Sequence, residues 1–216
     1  MLQINNLVGF GARRSAGGGG AAVPTFVGST SAGVQSSPYT ATGVSIGTAA
    51  SNRYIVVVVM ASNDALGSGS VTVAGQSTTR VVAATGGGRP SAIFVTDAPV
   101  TTGTTATVVI TVGATADIEF AVYTLIGAAS PTAPTTVTDT ADPLSQSATI
   151  PANGCAIACA NLAAGTTTSW TGATKQADGT GTNFRGSTAM STTAGAATIA
   201  AGGGTGNTMA IAIWSP

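Results

Sequence analysis

The sequence predicts an all-β protein: a β-sandwich with jelly-roll-like connections and an extended N-terminal arm. Three observations carry this. Short runs rich in Val, Ile and Thr recur along the chain. Gly, Asn, Asp, Ser and Pro punctuate them. No stretch shows a capped apolar period of 3.6 residues, because the Ala-rich pieces are interrupted by Gly and Thr. The 216 residues are enough to bury a sizeable core.

Residues 1–24 stand apart as an expected anchoring arm with a glycine linker, and residues 25–216 as a single β-sandwich domain. The arm has an apolar head of Leu2, Ile4, Leu7, Val8 and Phe10, then Arg13-Arg14, then Gly17-Gly18-Gly19-Gly20 and Pro24. Four consecutive glycines hold no regular structure cheaply and predict a joint. The apolar head predicts a peptide that docks onto something else; the competing expectation is an ordinary frayed end.

From about residue 41 the expected strands are 41–48, 53–61, 70–74, 79–83, 91–96, 105–112, 118–126, 147–150, 155–162, 184–190, 196–200 and 208–214. Val71-Thr72-Val73, Gly75-Gln76-Ser77 and Arg80-Val81-Val82 read as a hairpin. Ile55-Val56-Val57-Val58-Val59-Met60 is apolar at every position, which predicts a strand buried on both faces. One face would lie under the other sheet and the second under a neighbouring chain; a central strand with a valine-rich outer face is the alternative.

Composition excludes several functions. Seven Lys+Arg balance seven Asp+Glu, charged residues make up 6% of the chain, and there is no histidine. Seven scattered cations cannot build the basic patch that nucleic acid requires. Histidine-based catalysis and histidine metal ligation are impossible. A near-neutral chain favours association, so copies of itself and other proteins are the expected partners. No apolar run reaches the roughly 18 residues of a membrane helix. The first residues do not form a signal peptide, and glycines follow Arg13-Arg14 where a twin-arginine signal needs an apolar region. A protein assembled in the host cytoplasm and released by lysis, as part of a virion, reconciles this with its extracellular-looking composition.

Sites for chemistry are scarce. Asp117 and Glu119, two apart on an expected strand, share a face with side chains ~7 Å apart, a spacing compatible with a glycosidase pair. The same spacing arises trivially at the exposed start of a strand, which is the favoured reading. Asp139 and Asp142 read as turn residues. Serine and threonine have no base to activate them, since Lys175 is the sole lysine and no Ser-x-x-Lys occurs. Asn63-Asp64 and Asp178-Gly179 lack the run of acids that a calcium site uses. No enzyme activity, cofactor or metal is expected. Cys155 and Cys159 fall on one strand face ~13 Å apart, too far for a mutual disulfide. Buried free thiols are the first reading and inter-chain disulfides the second. Trp214 and Tyr54 suit core or sandwich-edge roles. Trp170, between Ser169 and Gly172, is the expected exposed aromatic and a surface-contact candidate.

Several segments together resemble a known group of proteins. These are Gly43-Val44-Ser45-Ile46-Gly47, Ser51-Asn52-Arg53-Tyr54-Ile55-Val56-Val57-Val58 and Val71-Thr72-Val73-Ala74-Gly75-Gln76-Ser77-Thr78-Thr79, followed by Ala92-Ile93-Phe94-Val95-Thr96, Ala121-Val122-Tyr123-Thr124-Leu125-Ile126-Gly127 and Ile150-Pro151-Ala152-Asn153-Gly154. The series is similar to small β-sandwich minor tail or virion structural proteins of tailed bacteriophages, as is the opening Asn5-Asn6-Leu7-Val8-Gly9-Phe10-Gly11-Ala12. The resemblance spans roughly residues 41–216 and its motifs describe strands and turns, so it carries over no functional residue. It implies a non-enzymatic tail, collar, fibre or capsid-decoration component. A carbohydrate-binding or adhesive module contacting a host-surface glycan is the alternative.

Overall fold

The computed structural model describes residues 20–63, 66–163, 168–179, 181–202 and 207–216. These contain no α-helix, and every strand pairing is antiparallel. The first eight strands form one sheet: β1 (Val23–Gln35), β2 (Tyr39–Ser45), β3 (Tyr54–Ala61), β4 (Ser70–Val73), β5 (Gln76–Ala84), β6 (Ser91–Thr96), β7 (Thr105–Thr111) and β8 (Ala116–Ile126), in the order β1-β8-β3-β6-β5-β4-β7-β2. The sheet curls on itself. Strand β5 turns the corner: Gln76 and Ser77 pair with β4, whereas Thr78 onward pairs with β6 through a register shift between Arg80 and Val82. The expected hairpin is β4–β5, and its tip has positive φ at both Ala74 and Gly75, the backbone twist that suits a two-residue hairpin loop.

A second sheet holds β9 (Thr135–Asp139), β11 (Cys155–Ala163), β13 (Thr174–Asp178), β14 (Phe184–Ser191) and β16 (Thr208–Trp214), in the order β13-β14-β11-β16-β9. A third, small sheet holds β10 (Leu144–Ile150), β12 (Trp170–Thr171) and β15 (Gly195–Ala201), in the order β10-β15-β12. The three sheets enclose three apolar cores. The first lies inside the curl and includes Val57, Val59, Phe94, Ile110, Phe120 and Val122. The second joins the outer face of β3, β6 and β8 to one face of β11, β14 and β16. The third joins the opposite face of β11 and β16 to the small sheet.

This stacking explains the unbroken apolar run in β3. Ile55, Val57, Val59 and Ala61 enter the first core, while Val56, Val58 and Met60 enter the second. Both faces are therefore covered within one chain, and the neighbouring chain expected over the second face is not needed. Strand β11 follows the same rule one layer out: Cys155, Ile157 and Cys159 face the second core, and Ala156, Ala158, Ala160 and Leu162 the third. Polar stitches cross the second core. Asn161 Nδ2 donates to Ala61 O and Pro90 O, both at 2.9 Å, and Tyr123 Oη donates to Thr188 Oγ1 at 2.8 Å.

Strand β1 occupies a stretch where no strand was expected. Its pairing with β8 shifts register between Phe26 and Gly28 and again between Ser31 and Gly33. Each bulge breaks the alternation that marks a strand in sequence. Strands β1 and β2 are the two ends of the curled sheet. Gly47, just after β2, sits against Val27. Beyond that contact the edges part, leaving a cleft of about 530 Å³ between residues 28–30 and β2, floored by Phe120 and Val122.

Arg53 fastens the loops at one end of this sheet. It is fully buried, and its guanidinium donates to five backbone carbonyls: Nε to Val100 (2.9 Å), Nη1 to Ile46 (3.2 Å) and Gly47 (2.6 Å), and Nη2 to Thr102 (2.9 Å) and Gly103 (3.0 Å). All five N–H donors of the fork find acceptors, a match that a lysine's three cannot reproduce. Arg53→Met takes the donors away from all five carbonyls, of which those of Ile46 and Val100 belong to buried residues, and is expected to lower the unfolding free energy by about 3–5 kcal/mol, with Arg53→Lys recovering less than half. Urea denaturation measures this, and a loss below about 1 kcal/mol would contradict the role.

Candidate functional site

The most distinctive chemistry is the Asp117–Glu119 pair near the start of β8. Alternation on β8 sends Ile118 and Phe120 into the first core and turns both carboxylates to the opposite face, as the two-residue spacing predicts. The exposed strand start expected for them is incorrect: Asp117 is 0% exposed and Glu119 2%. Their cover comes from the β13–β14 hairpin, a layer the acids' own sequence neighbourhood gives no sign of.

That cover is glycine backbone. A Cβ on Gly179 or Gly186 would collide with the Glu119 carboxyl, and one on Gly181 would lie 3.0 Å from Asp117 Oδ2. Only glycine lets the main chain approach this closely. Main-chain and hydroxyl donors then reach the acids. Gly186 N–H donates to Glu119 Oε2 (2.6 Å), Ser31 Oγ donates to Glu119 Oε1 (3.2 Å), and Asn183 N–H donates to Asp117 Oδ2 (3.0 Å). Asp117 Oδ1 is buried without a hydrogen-bond partner. Burial raises the Glu119 carboxyl to about 7; the N–H groups of Gly186 and Gly181 and the Ser31 hydroxyl oppose the rise, and the nearby Asp117 carboxylate adds to it.

The arrangement is a clasp. Two carboxylates on the first sheet hold the β13–β14 hairpin of the second through its backbone. The cavity beside Glu119 is about 10 Å³, on the scale of a single water. Among the described residues, no group of three or more His, Cys, Asp or Glu could hold a metal ion. No described helix is long and apolar enough to cross a membrane.

The other sequence candidates fall in separate places. Leu2, Ile4, Leu7, Val8 and Phe10 lie outside the described residues, as does Asp64. Trp170, expected to be exposed, is half-buried against the third core because β12 pairs with the end of β15, and its indole N–H donates to Ser187 Oγ at 2.8 Å. Trp214 is a core residue, its indole N–H bonded to Pro131 O at 2.7 Å. Asp139 closes a turn, accepting from the N–H groups of Ala141 and Ser145. Asp178 pairs with Lys175 at 2.8 Å and accepts from Ser187 Oγ at 2.6 Å. Cys155 and Cys159 are free and fully buried, with both thiols pushed up to about 12 by burial. A solvent-facing disulfide to another chain has no access to either.

Comparison with protein-family models, with curated proteins and with solved structures gives no match.

The raised Glu119 fixes the sign of a pH effect. Its folded-state value lies above the ordinary 4.5, so the folded protein holds more protons than the unfolded chain between those values. The contribution is full below pH 4.5 and is lost as pH rises through about 7. Glu119→Gln removes it. The stability difference between wild type and Glu119→Gln should therefore shift by about 3 kcal/mol, in the variant's favour, from pH 4 to pH 8. Parallel pH profiles for the two proteins would refute the assignment.

Proposed function

We propose that this chain is a non-enzymatic structural component of a bacteriophage particle: a tail, collar or fibre component, or a capsid decoration protein. It assembles through its N-terminal residues and its neutral β-sandwich surface with other virion proteins and with copies of itself. The strand order of the first sheet carries this reading. Its halves, β1-β8-β3-β6 and β2-β7-β4-β5, interleave early and late strands as two interlocked Greek keys do. That is the plan of a jelly roll, an architecture used by viral capsid and lectin domains. The zero net charge and the virion-protein resemblance of the sequence point the same way.

The absence of catalysis belongs to the same proposal. A glycosidase pair needs one carboxylate to reach a sugar and the other to reach its opposite face or a water. Asp117 and Glu119 instead bind main-chain N–H groups under a glycine cover. An adhesive role through Trp170 is the weaker alternative, since its ring packs on the third core and its N–H is engaged with Ser187.

Quantitative analysis of purified particles tests the reading. The protein should co-purify with intact particles. A copy number comparable to that of the major capsid protein assigns it to decoration, and a far smaller one to tail, collar or fibre. Its absence from washed particles would overturn the proposal. Particles carrying Asp117→Asn and Glu119→Gln should act on host polysaccharide as wild-type particles do; loss of clearing with the protein still folded and attached would restore the enzyme reading.

A further inference from the structure

We infer that the open seam between β1 and β2 is the acceptor for a stretch of the arm within residues 2–12 of a second copy of this chain, about as long as the seven-residue β2 wall Tyr39–Ser45, which enters it as an added strand. The inference rests on the proposed anchoring role of the N-terminal residues and names where they bind.

The seam has the properties of a strand acceptor. Strands β1 and β2 are the two ends of the sheet, so each has one edge with no paired neighbour. The cleft between them is floored by apolar Phe120 and Val122, with Ala41 and Val44 on its β2 wall. Its rim is Ser, Thr and Gly, with no charged side chain in the lining. A strand laid there pairs its backbone with an exposed edge and sends alternate side chains to the floor.

The N-terminal sequence has the matching pattern. Leu2, Ile4, Val8, Phe10 and Ala12 share one parity, with Asn6 as the interruption and Leu7 as the one large apolar residue on the other parity. Alternation with period two is the signature of a strand that buries one face. No side chain among residues 2–12 is charged, which matches the uncharged lining, and the arginines begin only at position 13.

The path of the chain favours a second copy as the donor. The backbone just before β1 is pinned on the side away from the seam. Ala22 N–H donates to Asn153 O at 2.8 Å, Gly127 packs against the Ala21 carbonyl, and Val23 opens β1 opposite Ile126 of β8. A fold-back into the chain's own seam would have to cross over β1 and pass the Val27–Gly47 contact.

Complementation between full-length variants tests this. Val8→Asp with Phe10→Asp spoils the donor, and Val44→Arg spoils the acceptor. Thr42→Arg, at an exposed rim position, is a second acceptor variant that leaves the packed residues untouched. Circular dichroism checks that each is folded. In sedimentation experiments the wild type should self-associate, and each variant alone should associate at least about tenfold more weakly. A mixture of donor-defective and acceptor-defective chains should form a pair, because one intact arm then meets one intact seam. A monomeric wild type, a folded variant that associates normally, or a mixture that fails to pair would overturn the inference. If the donor variant fails to join particles while both acceptor variants join normally, the arm anchors elsewhere: the anchoring proposal then stands and the seam assignment falls.

Discussion

The structure depends on one slab of sheet that is buried on both faces. Strands β3 and β8 form the wall of the first core and the floor of the second. Side chains of one parity close the curled sheet on itself, and those of the other parity seat the second sheet. Fully burying a Val, Ile or Phe side chain is worth about 1.5–3 kcal/mol, so every residue of the β3 run contributes where an ordinary surface strand would use half. The second sheet repeats the device, with β11 and β16 serving the second and third cores. This is how a chain with 6% charged residues hides so much apolar sequence without a helix among its described residues.

Polar groups caught between such layers must find partners there, because burying one without a hydrogen bond is costly. The Asn161 Nδ2, though not its Oδ1, and the Tyr123 hydroxyl do so by reaching across the second core. Arg53 does so with carbonyls alone, five acceptors spread over two loops. Asp117 and Glu119 do so with the backbone of a glycine-rich hairpin, at the cost of a raised Glu119 and an orphaned Asp117 Oδ1. Groups that look catalytic in isolation thus act as fasteners between layers, which is the role the non-enzymatic proposal assigns them.

Much of the fold was legible because its central strands are rich in Val and Ile. The two faces of β3 could be read from its missing alternation, and Cys155 and Cys159 could be read as free buried thiols because their spacing on a strand is too long for a mutual disulfide. Less regular strands escaped. Bulges hide the periodicity of β1. Strand β13, Thr-Lys-Gln-Ala-Asp, is polar because it is the edge of the second sheet. The burial of Asp117 and Glu119 was illegible for a different reason: their neighbours in sequence resemble an exposed strand start, and their cover arrives about 65 residues later through long-range packing. The close-spaced glycines Gly179, Gly181 and Gly186 were the available signal that main chain approaches something tightly there. Arg53 gave none, since nothing local distinguishes an arginine that will bind carbonyls of its own loop together with those of another nearly 50 residues away.

Native-state hydrogen exchange, resolved by residue, tests the central claim most directly. If the doubly buried slab holds the sheets together, the amides of Val56–Val59 and of Phe120–Tyr123 exchange only through global unfolding, with a free energy equal to that from denaturant titration. The amides of β2 and β13, at sheet edges, exchange through smaller openings. Slab amides that exchange well below the global free energy, in step with a separate opening of the second sheet, would contradict the account.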